Sequence, residues 1–319
     1  MSTSISRRGF LGTTAAAVGM TSVLPKPSPA ADKPLSAYSH GPLGKIVGAL
    51  PPGRYDSHLH VHAGRPDPER FKREIDAAGL AGCCLFSIRP YRDFPSEPPL
   101  LDPARAMDDV IAWCSASPTF YPFYYIDPVR PDACELVDMA VEKGIYGFKV
   151  IRSSGKPCEG SAMKVYERIA RYGKPLTFHT GILWDAKASS DNFRPGNWEP
   201  LLDIPQLRFA LCHISWPWCD ECIAVYGKLL NAILKHGDKV PEMFIDTTPG
   251  TPKIYRRDAL TRLFTVGYDI FDHIQFGSDC RTQRYSATWT KDWFATDDAI
   301  FAELGLDGRQ ADSVYRGSL

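Results

Sequence analysis

The 319-residue sequence has no excess of basic charge, since 37 lysine and arginine residues are matched by 37 aspartate and glutamate residues. Nucleic acids and anionic membrane surfaces select proteins with a basic face, so this balance argues against both as main partners. Beyond the N-terminus, no apolar run approaches the ~20 residues of a membrane-spanning helix, and no stable membrane insertion is expected. The sequence also lacks internal repeats and low-complexity linkers, which favours a single domain.

Nine cysteines are present, but no second Cys-x-x-Cys pair accompanies Cys219 and Cys222. A structural zinc site of the four-cysteine type is therefore not indicated. The odd number and the adjacent Cys83 and Cys84 permit a disulfide without requiring one. Because most of these cysteines stand in apolar segments, we expect them to be small buried side chains.

The N-terminus carries the segment Ser6-Arg7-Arg8-Gly9-Phe10-Leu11, which resembles a twin-arginine export signature. A modestly apolar stretch follows over residues 10–24, and small residues around 28–31 suit cleavage. We expect residues 1–31 to be a signal peptide read by the twin-arginine machinery, which predicts a periplasmic or extracellular protein. The alternative is a basic tail ahead of a linker. Loss of Arg7, Arg8 and Lys26 would leave 34 basic residues against 37 acidic ones.

The remaining chain alternates between strand-like and helix-like segments. After a pre-barrel segment at residues 32–50, the rest of the chain, 51–319, is predicted to be one domain with eight strands. The strands are expected near residues 55–61, 81–88, 119–126, 145–151, 175–180, 207–213, 242–247 and 273–279. Helix-like stretches cover 67–78, 103–115, 132–143, 161–172, 219–236 and 253–264. Eight βα units predict an α/β fold, the (β/α)8 TIM barrel, more than a doubly wound sheet.

Four of these strands end in side chains that can bind a metal. Alternation along the first strand places Asp56, His58 and His60 on one face. Three later apolar runs end in His179, in His213 and in Asp279. With the first strand, the candidate residues at strand ends are His58, His60, His179, His213 and Asp279. Because the C-terminal ends of barrel strands meet around one mouth, these distant residues are expected to become neighbours.

This order of residues resembles the amidohydrolase superfamily and, within it, the amidohydrolase-related family of metal-dependent hydrolases and decarboxylases. The resemblance spans essentially the whole chain after the predicted signal peptide. It implies that His58, His60, His179 and Asp279 bind one divalent ion, with zinc expected and manganese as the alternative. It also implies catalytic roles for Asp279, as acceptor of a water proton, and for His213, as a group that transfers a proton or polarises a carbonyl.

Two further residues have alternative interpretations. Lys149 lies on the fourth strand, where some members of the superfamily carry a carboxylated lysine that bridges two ions. We favour one ion, with Lys149 paired to a carboxylate or directed at substrate. Asp56 either orients a metal ligand or is a structural polar residue of the barrel.

Arginine and aromatic residues are concentrated in the loops after the strands, where barrel enzymes select their substrates. They are Arg89, Tyr91, Arg92, Arg152, Trp184, Trp216, Trp218, Arg281 and Arg284. Guanidinium groups bind carboxylates in a bidentate manner, and tryptophan faces suit flat rings. We therefore expect a small, anionic, carboxylated substrate that is cyclic or aromatic. Each arginine alone could instead be a solvated charge or part of a structural ion pair.

Three functions remain open at this point. A hydrolase acting on a lactone, ester or amide is preferred, because exported catabolic enzymes more readily serve extracellular esters, lactones and amides. A non-oxidative decarboxylase of the same family is the first alternative, and a non-catalytic barrel that binds a metal or ligand is the second. The sequence also permits a homo-oligomer.

Overall fold

The computed structural model describes residues 52–62, 65–90, 100–152 and 154–316. Eight parallel strands form one sheet in the order of the chain, from β1 to β8. Their bounds are β1 (Arg54–His60), β2 (Leu80–Phe86), β3 (Phe120–Tyr125), β4 (Gly147–Val150), β5 (Leu176–Phe178), β6 (Arg208–Leu211), β7 (Glu242–Asp246) and β8 (Ile274–Gln275). Backbone hydrogen bonds of 2.9 Å from Ser57 to Phe276 and from His60 to Cys280 join the two ends of the sheet. The predicted (β/α)8 barrel is confirmed.

Helices connect the strands at all six places where the sequence predicts one, and the connection between β5 and β6, the one exception among the described residues, has no α-helix. The helices are α1 (Pro68–Ala78), α2 (Pro103–Cys114), α3 (Ala133–Glu142), α4 (Ser161–Arg171), α5 (Cys219–His236), α6 (Lys253–Thr265), α7 (Ala287–Leu304) and α8 (Gly308–Tyr315). Between β5 and β6 the chain forms two 3-10 segments instead, Ser190–Phe193 and Pro195–Asp203. Prolines at 195 and 200 explain this exception, because proline has no backbone N–H to donate inside a helix.

Local sequence signals set the helix ends. The Asp67 carboxylate accepts a hydrogen bond from the Arg70 amide at 3.1 Å, and Pro68 occupies the first turn of α1. Gly79 ends the same helix in the left-handed conformation, at φ 79°. Such caps turn the chain back to the barrel so that the next strand can start at once.

Two apolar clusters form the core. The larger one lies between the sheet and the helices and contains residues such as Leu59, Cys83 and Trp113. The smaller one includes Phe86, Phe123 and Tyr125, among others. Adjacent cysteines thus pack in different clusters, since Cys83 belongs to the first and Cys84 to the second. All nine cysteines are free thiols, six of them buried, in agreement with the expectation of small buried side chains.

The strands are shorter at the mouth than the sequence indicated. β6 ends at Leu211, and the chain turns at His213, Ile214 and Ser215, whose φ values of 61°, 44° and 54° are left-handed. β8 stops at Gln275, and Asp279 is also left-handed at φ 59°. Residues without glycine's freedom hold this conformation only where the surrounding packing fixes it, which is common at functional sites.

Several predictions of the sequence fall outside the described residues. These are the signal peptide at 1–31, the pre-barrel segment at 32–50, and Tyr91 and Arg92 of the loop after β2. Within the part of the chain that the structure describes, no helix is long and apolar enough to cross a membrane.

Candidate metal centre

Three of the predicted ligands converge at the mouth of the barrel. His58 and His60 come from β1, and Asp279 follows β8, the neighbour of β1 in the closed sheet. The Asp279 Oδ1 atom lies 3.0 Å from His60 Nε2 and 3.7 Å from His58 Nε2. One ligand atom from each residue lies within 4.8 Å of the other two, which is a spacing that a single ion can bridge.

His179 and His213 lie beside this group. The His213 Nε2 atom is 3.2 Å from His179 Nδ1, and the His213 ring centroid is 5.1 Å from that of His58. His179 is not within the tight group of three, and its role as a ligand, like theirs, stays a prediction. However, His179 Nε2 is a buried nitrogen with no hydrogen-bond partner among the described residues, as expected for an atom that binds a metal ion.

The imidazoles are held in the neutral form that metal binding requires. Burial lowers the pKa of His58 to about 3, and the positive charge of Lys149 acts in the same direction. Burial likewise lowers the pKa values of His60 and His213, and lowers that of His179 well below its usual value. For Asp279, burial alone would raise the pKa, but the nearby histidines outweigh it and lower the pKa. The centre therefore presents neutral nitrogens and one carboxylate, a donor set that fits zinc or a similar divalent ion.

Asp246 is a buried carboxylate at the end of β7 that the sequence analysis missed. Its Oδ2 atom lies 2.6 Å from His58 Nδ1, and both side chains are 1% exposed. The signal was present in the sequence, because Met243-Phe244-Ile245 is an apolar run that ends in an acidic residue, as the other ligand strands do.

Asp56 acts on the backbone at this end of the barrel. Its Oδ1 atom accepts hydrogen bonds from the amides of His58, at 3.2 Å, and Ser278, at 2.9 Å. Burial raises the pKa of Asp56 to about 7, against the opposing effect of these hydrogen bonds. Asp56 thus orders β1 and the chain after β8 through their backbones, and it shows no contact with an imidazole.

Lys149 is fully buried and lies against a thiol. Its Nζ atom is 2.8 Å from Cys212 Sγ and 4.7 Å from the centroid of the Phe86 ring. The hydrogen bond found for Lys149 among the described residues is to this thiol, and none of the ion pairs found there joins Lys149 to a carboxylate. The expected pairing of Lys149 with a carboxylate is therefore not found.

Arg89 and Tyr125 flank the centre on the side of β2 and β3. The Tyr125 ring stacks on His60, with centroids 6.2 Å apart and planes 26° from parallel. Burial raises the pKa of the Tyr125 hydroxyl, which keeps it protonated, and the positive charge of Arg89 opposes this rise. The positive charge of Arg89 also lowers the pKa values of His60 and His179, as a lesser cause than burial.

The other predicted substrate residues have varied surroundings. Arg152 donates to Glu159 Oε1 at 2.9 Å, which favours the structural ion pair. Arg281 is exposed and its backbone pairs with that of His60. Trp184 is 71% exposed after β5. Trp216 stacks on Tyr255 with centroids 5.9 Å apart.

Two glycines allow close packing behind the histidines. A Cβ atom on Gly250 would lie 2.7 Å from His213 Cβ, and one on Gly277 would overlap with His58 Cβ and Thr248 Oγ1. Only hydrogen fits at these positions, so both glycines are needed for the observed ring positions.

The comparisons with known proteins agree with this architecture. An uncharacterised TIM-barrel protein from Bordetella bronchiseptica superposes with a TM-score of 0.56 at 16% identity, covering 83% of this chain and 96% of its own. A Staphylococcus aureus protein described as an amidohydrolase gives 0.53 at 11% identity, covering 83% and 98%. Dihydroorotase from Campylobacter jejuni gives 0.50 at 13% identity, covering 82% and 80%.

The chain shares the (β/α)8 barrel fold of these three proteins. At these identities the likeness concerns the fold alone. No family model matches the sequence, and no curated protein matches it.

Proposed function

We propose that this chain is a metal-dependent hydrolase of the amidohydrolase-related type that cleaves a lactone, ester or amide of a small carboxylated substrate. The observation that carries the proposal is the convergence of His58, His60 and Asp279 within 4.8 Å at the barrel mouth, with their imidazoles neutral. Active sites of TIM-barrel enzymes are built at this end of the strands.

The proposed ligands are His58 Nε2, His60 Nε2, Asp279 and the Nε2 atom of His179. A bound zinc or manganese ion supplies Lewis acidity and makes a water molecule nucleophilic near neutral pH. The orphaned His179 nitrogen and the low pKa of Asp279 both suit such a donor set.

Asp279 and His213 are the proposed proton carriers. Asp279 is partly exposed at the mouth, and its second carboxylate oxygen can accept the proton of the attacking water. His213 is held by its left-handed turn between His58 and His179, where its ring can stabilise a developing oxyanion or pass a proton to the leaving group.

One ion per chain is the proposed stoichiometry. The Lys149 ammonium group contacts Cys212, and a second cation at that place would meet its positive charge at close range. The bridging alternative for Lys149 would require its carboxylation.

The proposed substrate is anionic and flat. Arg89 places a positive charge close enough to lower the pKa of His60, and Tyr125 adds a protonated hydroxyl. The stacked pair of Trp216, in the turn after β6, and Tyr255, in the first turn of α6, offers a planar aromatic surface.

Metal analysis tests the first part of the proposal. We expect about one zinc or manganese per chain by inductively coupled plasma mass spectrometry in protein purified without added metal. The matched variant His58→Ala/His60→Ala should lose the ion, whereas Asp56→Asn should keep it. Two ions per chain would bring Lys149 into the site, and none in wild type would contradict the proposal.

Reaction products test the second part. A panel of aromatic and alicyclic lactones, esters, amides and free carboxylic acids should give hydrolysis products that disappear in His213→Asn while the metal is retained. Release of bicarbonate without any hydrolytic product would replace the hydrolase with the decarboxylase.

Export by the twin-arginine route to the periplasm or outside the cell is proposed from residues 6–11 alone. Replacing Arg7 and Arg8 by lysine should retain the full-length protein in the cytoplasm, as seen by immunoblotting of cell fractions. Unchanged export of this variant would contradict it.

A further inference from the structure

The two nitrogens of the His58 ring face different partners. Nδ1 lies 2.6 Å from Asp246 Oδ2, whereas Nε2 faces Asp279 Oδ1 at 3.7 Å. An ionised carboxylate can only accept hydrogen bonds, so the Nδ1 atom must carry the proton of the neutral ring. The other oxygen of this carboxylate also accepts hydrogen bonds, as an ionised group does.

The orientation of Asp246 is itself fixed. Its other oxygen, Oδ1, accepts a hydrogen bond from the Thr248 amide at 2.6 Å and another from the Thr248 hydroxyl. A backbone N–H can only donate, so this oxygen must stay an acceptor. The carboxylate therefore cannot rotate without losing one of its two sets of partners.

Two outer helices hold the end of β7 in place. Arg256 of α6 donates to the carbonyl oxygen of Thr247, the residue after Asp246. Asp297 of α7 binds the same guanidinium through both oxygens, at 2.9 and 2.6 Å, and Arg256 and Asp297 are fully buried. Bidentate pairing of this kind fixes geometry as well as charge.

We propose that Asp246 is a positioning residue that fixes His58 as the Nδ1–H tautomer, leaving the Nε2 lone pair directed at the site formed with His60 and Asp279. The inference rests on the proposed metal-binding function and adds to it a residue at the end of β7. Hydrogen bonds from a ligating histidine to a carboxylate are known to set tautomer and ring orientation.

A metal ion bound by His58, Asp246 and Cys212 is the competing arrangement, because one ligand atom from each of these residues lies within 4.8 Å of the other two. Two contacts argue against an ion there. The 2.6 Å hydrogen bond already uses His58 Nδ1, and the Lys149 ammonium group lies 2.8 Å from the Cys212 thiol. A cation among these three residues would have to displace both.

The substitution Asp246→Asn gives a sharp test. The amide oxygen of the new side chain must face the Thr248 N–H, so its NH2 group would point at His58 Nδ1. The ring would then switch to the Nε2–H tautomer and block the ligand nitrogen. We expect Co2+ or Zn2+ affinity, measured by chelator competition, to fall by about 10–100-fold or more. Asp56→Asn, another buried carboxylate that touches no imidazole, should stay within about threefold, the factor of RT ln 3 being under 1 kcal/mol.

Nitrogen-15 spectra of histidine-labelled, metal-free protein test the tautomer directly. Wild type and Asp56→Asn should show His58 protonated at Nδ1, and Asp246→Asn should show it protonated at Nε2. An Nε2–H tautomer in wild type overturns the inference even if the variant fails to fold, as does an unchanged affinity in Asp246→Asn. Failure of wild type to bind metal would contradict the proposed function but leave the tautomer result standing.

Discussion

The two ends of the barrel treat polar residues in opposite ways. At the bottom, where β6 and β7 begin, Glu242 accepts a 2.9 Å hydrogen bond from Arg208 and lies 3.3 Å from His273 Nε2. Tyr226 lies 3.1 Å from the other nitrogen of His273. Each group at this end has a partner of matching charge or hydrogen-bonding type, so the network needs nothing from outside.

At the mouth, polar side chains are held by hydrogen bonds to the surrounding protein, but some of their nitrogen lone pairs have no partner. The His58 ring is held by its hydrogen bond to Asp246. The Nε2 atom of His179 has no hydrogen-bond partner among the described residues. The left-handed conformations of His213 and Asp279 add backbone strain at this end. The comparison teaches that hydrogen-bonding capacity is used within the protein at the bottom and left unused at the mouth, the end where barrel enzymes build their active sites.

The largest change in stability is expected at the ion pair between α6 and α7 that holds the end of β7. Asp297→Ala leaves the buried Arg256 without its carboxylate partner, and we expect the free energy of unfolding in urea to fall by about 3–5 kcal/mol. The double variant Arg256→Met/Asp297→Leu should recover much of this loss, because no uncompensated charge remains. A single variant as stable as wild type would show that the pair does not support the end of β7.

The network at the bottom should respond to pH and not to metal. Burial would raise the pKa of Glu242, but His273 and Arg208 outweigh it and lower the pKa from 4.5 to about 2. The stabilisation is thus complete above pH 4.5 and is lost as the pH falls from there toward 2. We expect Glu242→Gln to lower the free energy of unfolding by on the order of 2–3 kcal/mol at pH 7. The difference in stability between wild type and this variant should narrow below pH 4.5.

Urea denaturation at several pH values checks this expectation, beside the exposed control Glu199→Gln, which should cost under about 0.5 kcal/mol. Metal content should be unchanged in both variants. A gap between Glu242→Gln and wild type that stays constant from pH 7 to pH 3 would argue against the assigned network.

Close packing at the mouth gives a smaller effect that should couple to the metal. Gly277→Ala places a methyl group against His58 and Thr248, and we expect it to cost about 1–3 kcal/mol and to weaken zinc binding. Gly308→Ala, where the added methyl meets open space, should be neutral or slightly stabilising. Equal zinc affinity in the two variants would mean that His58 tolerates displacement.

The smallest change in stability is expected at the rim. Trp184 is 71% exposed, so Trp184→Ala should alter the free energy of unfolding by less than about 0.5 kcal/mol. The matched substitution of a buried residue, Trp198→Ala, should cost about 3–5 kcal/mol. If Trp184 contacts substrate, KM should rise while stability does not change; a large loss of stability would instead indicate a packing role.

The sequence by itself determined the barrel and the convergence of three predicted ligands at its mouth. Alternating apolar runs and helix caps specify eight βα units because strand and helix periods are local properties of the chain. His58, His60 and Asp279 could be assigned because each closes an apolar run, and strand ends of a barrel meet at one mouth. Strand lengths were less well predicted, since the turns at His213 and Asp279 depend on surrounding packing.

Only the tertiary structure decided which side chains touch. Asp246 and His58 are 188 residues apart, and Lys149 and Cys212 are 63 apart, so neither contact follows from local pattern. The ion pair between Arg152 and Glu159 also required coordinates. The physical reason is that hydrogen bonds are directional over about 3 Å, a precision that strand order and periodicity do not supply.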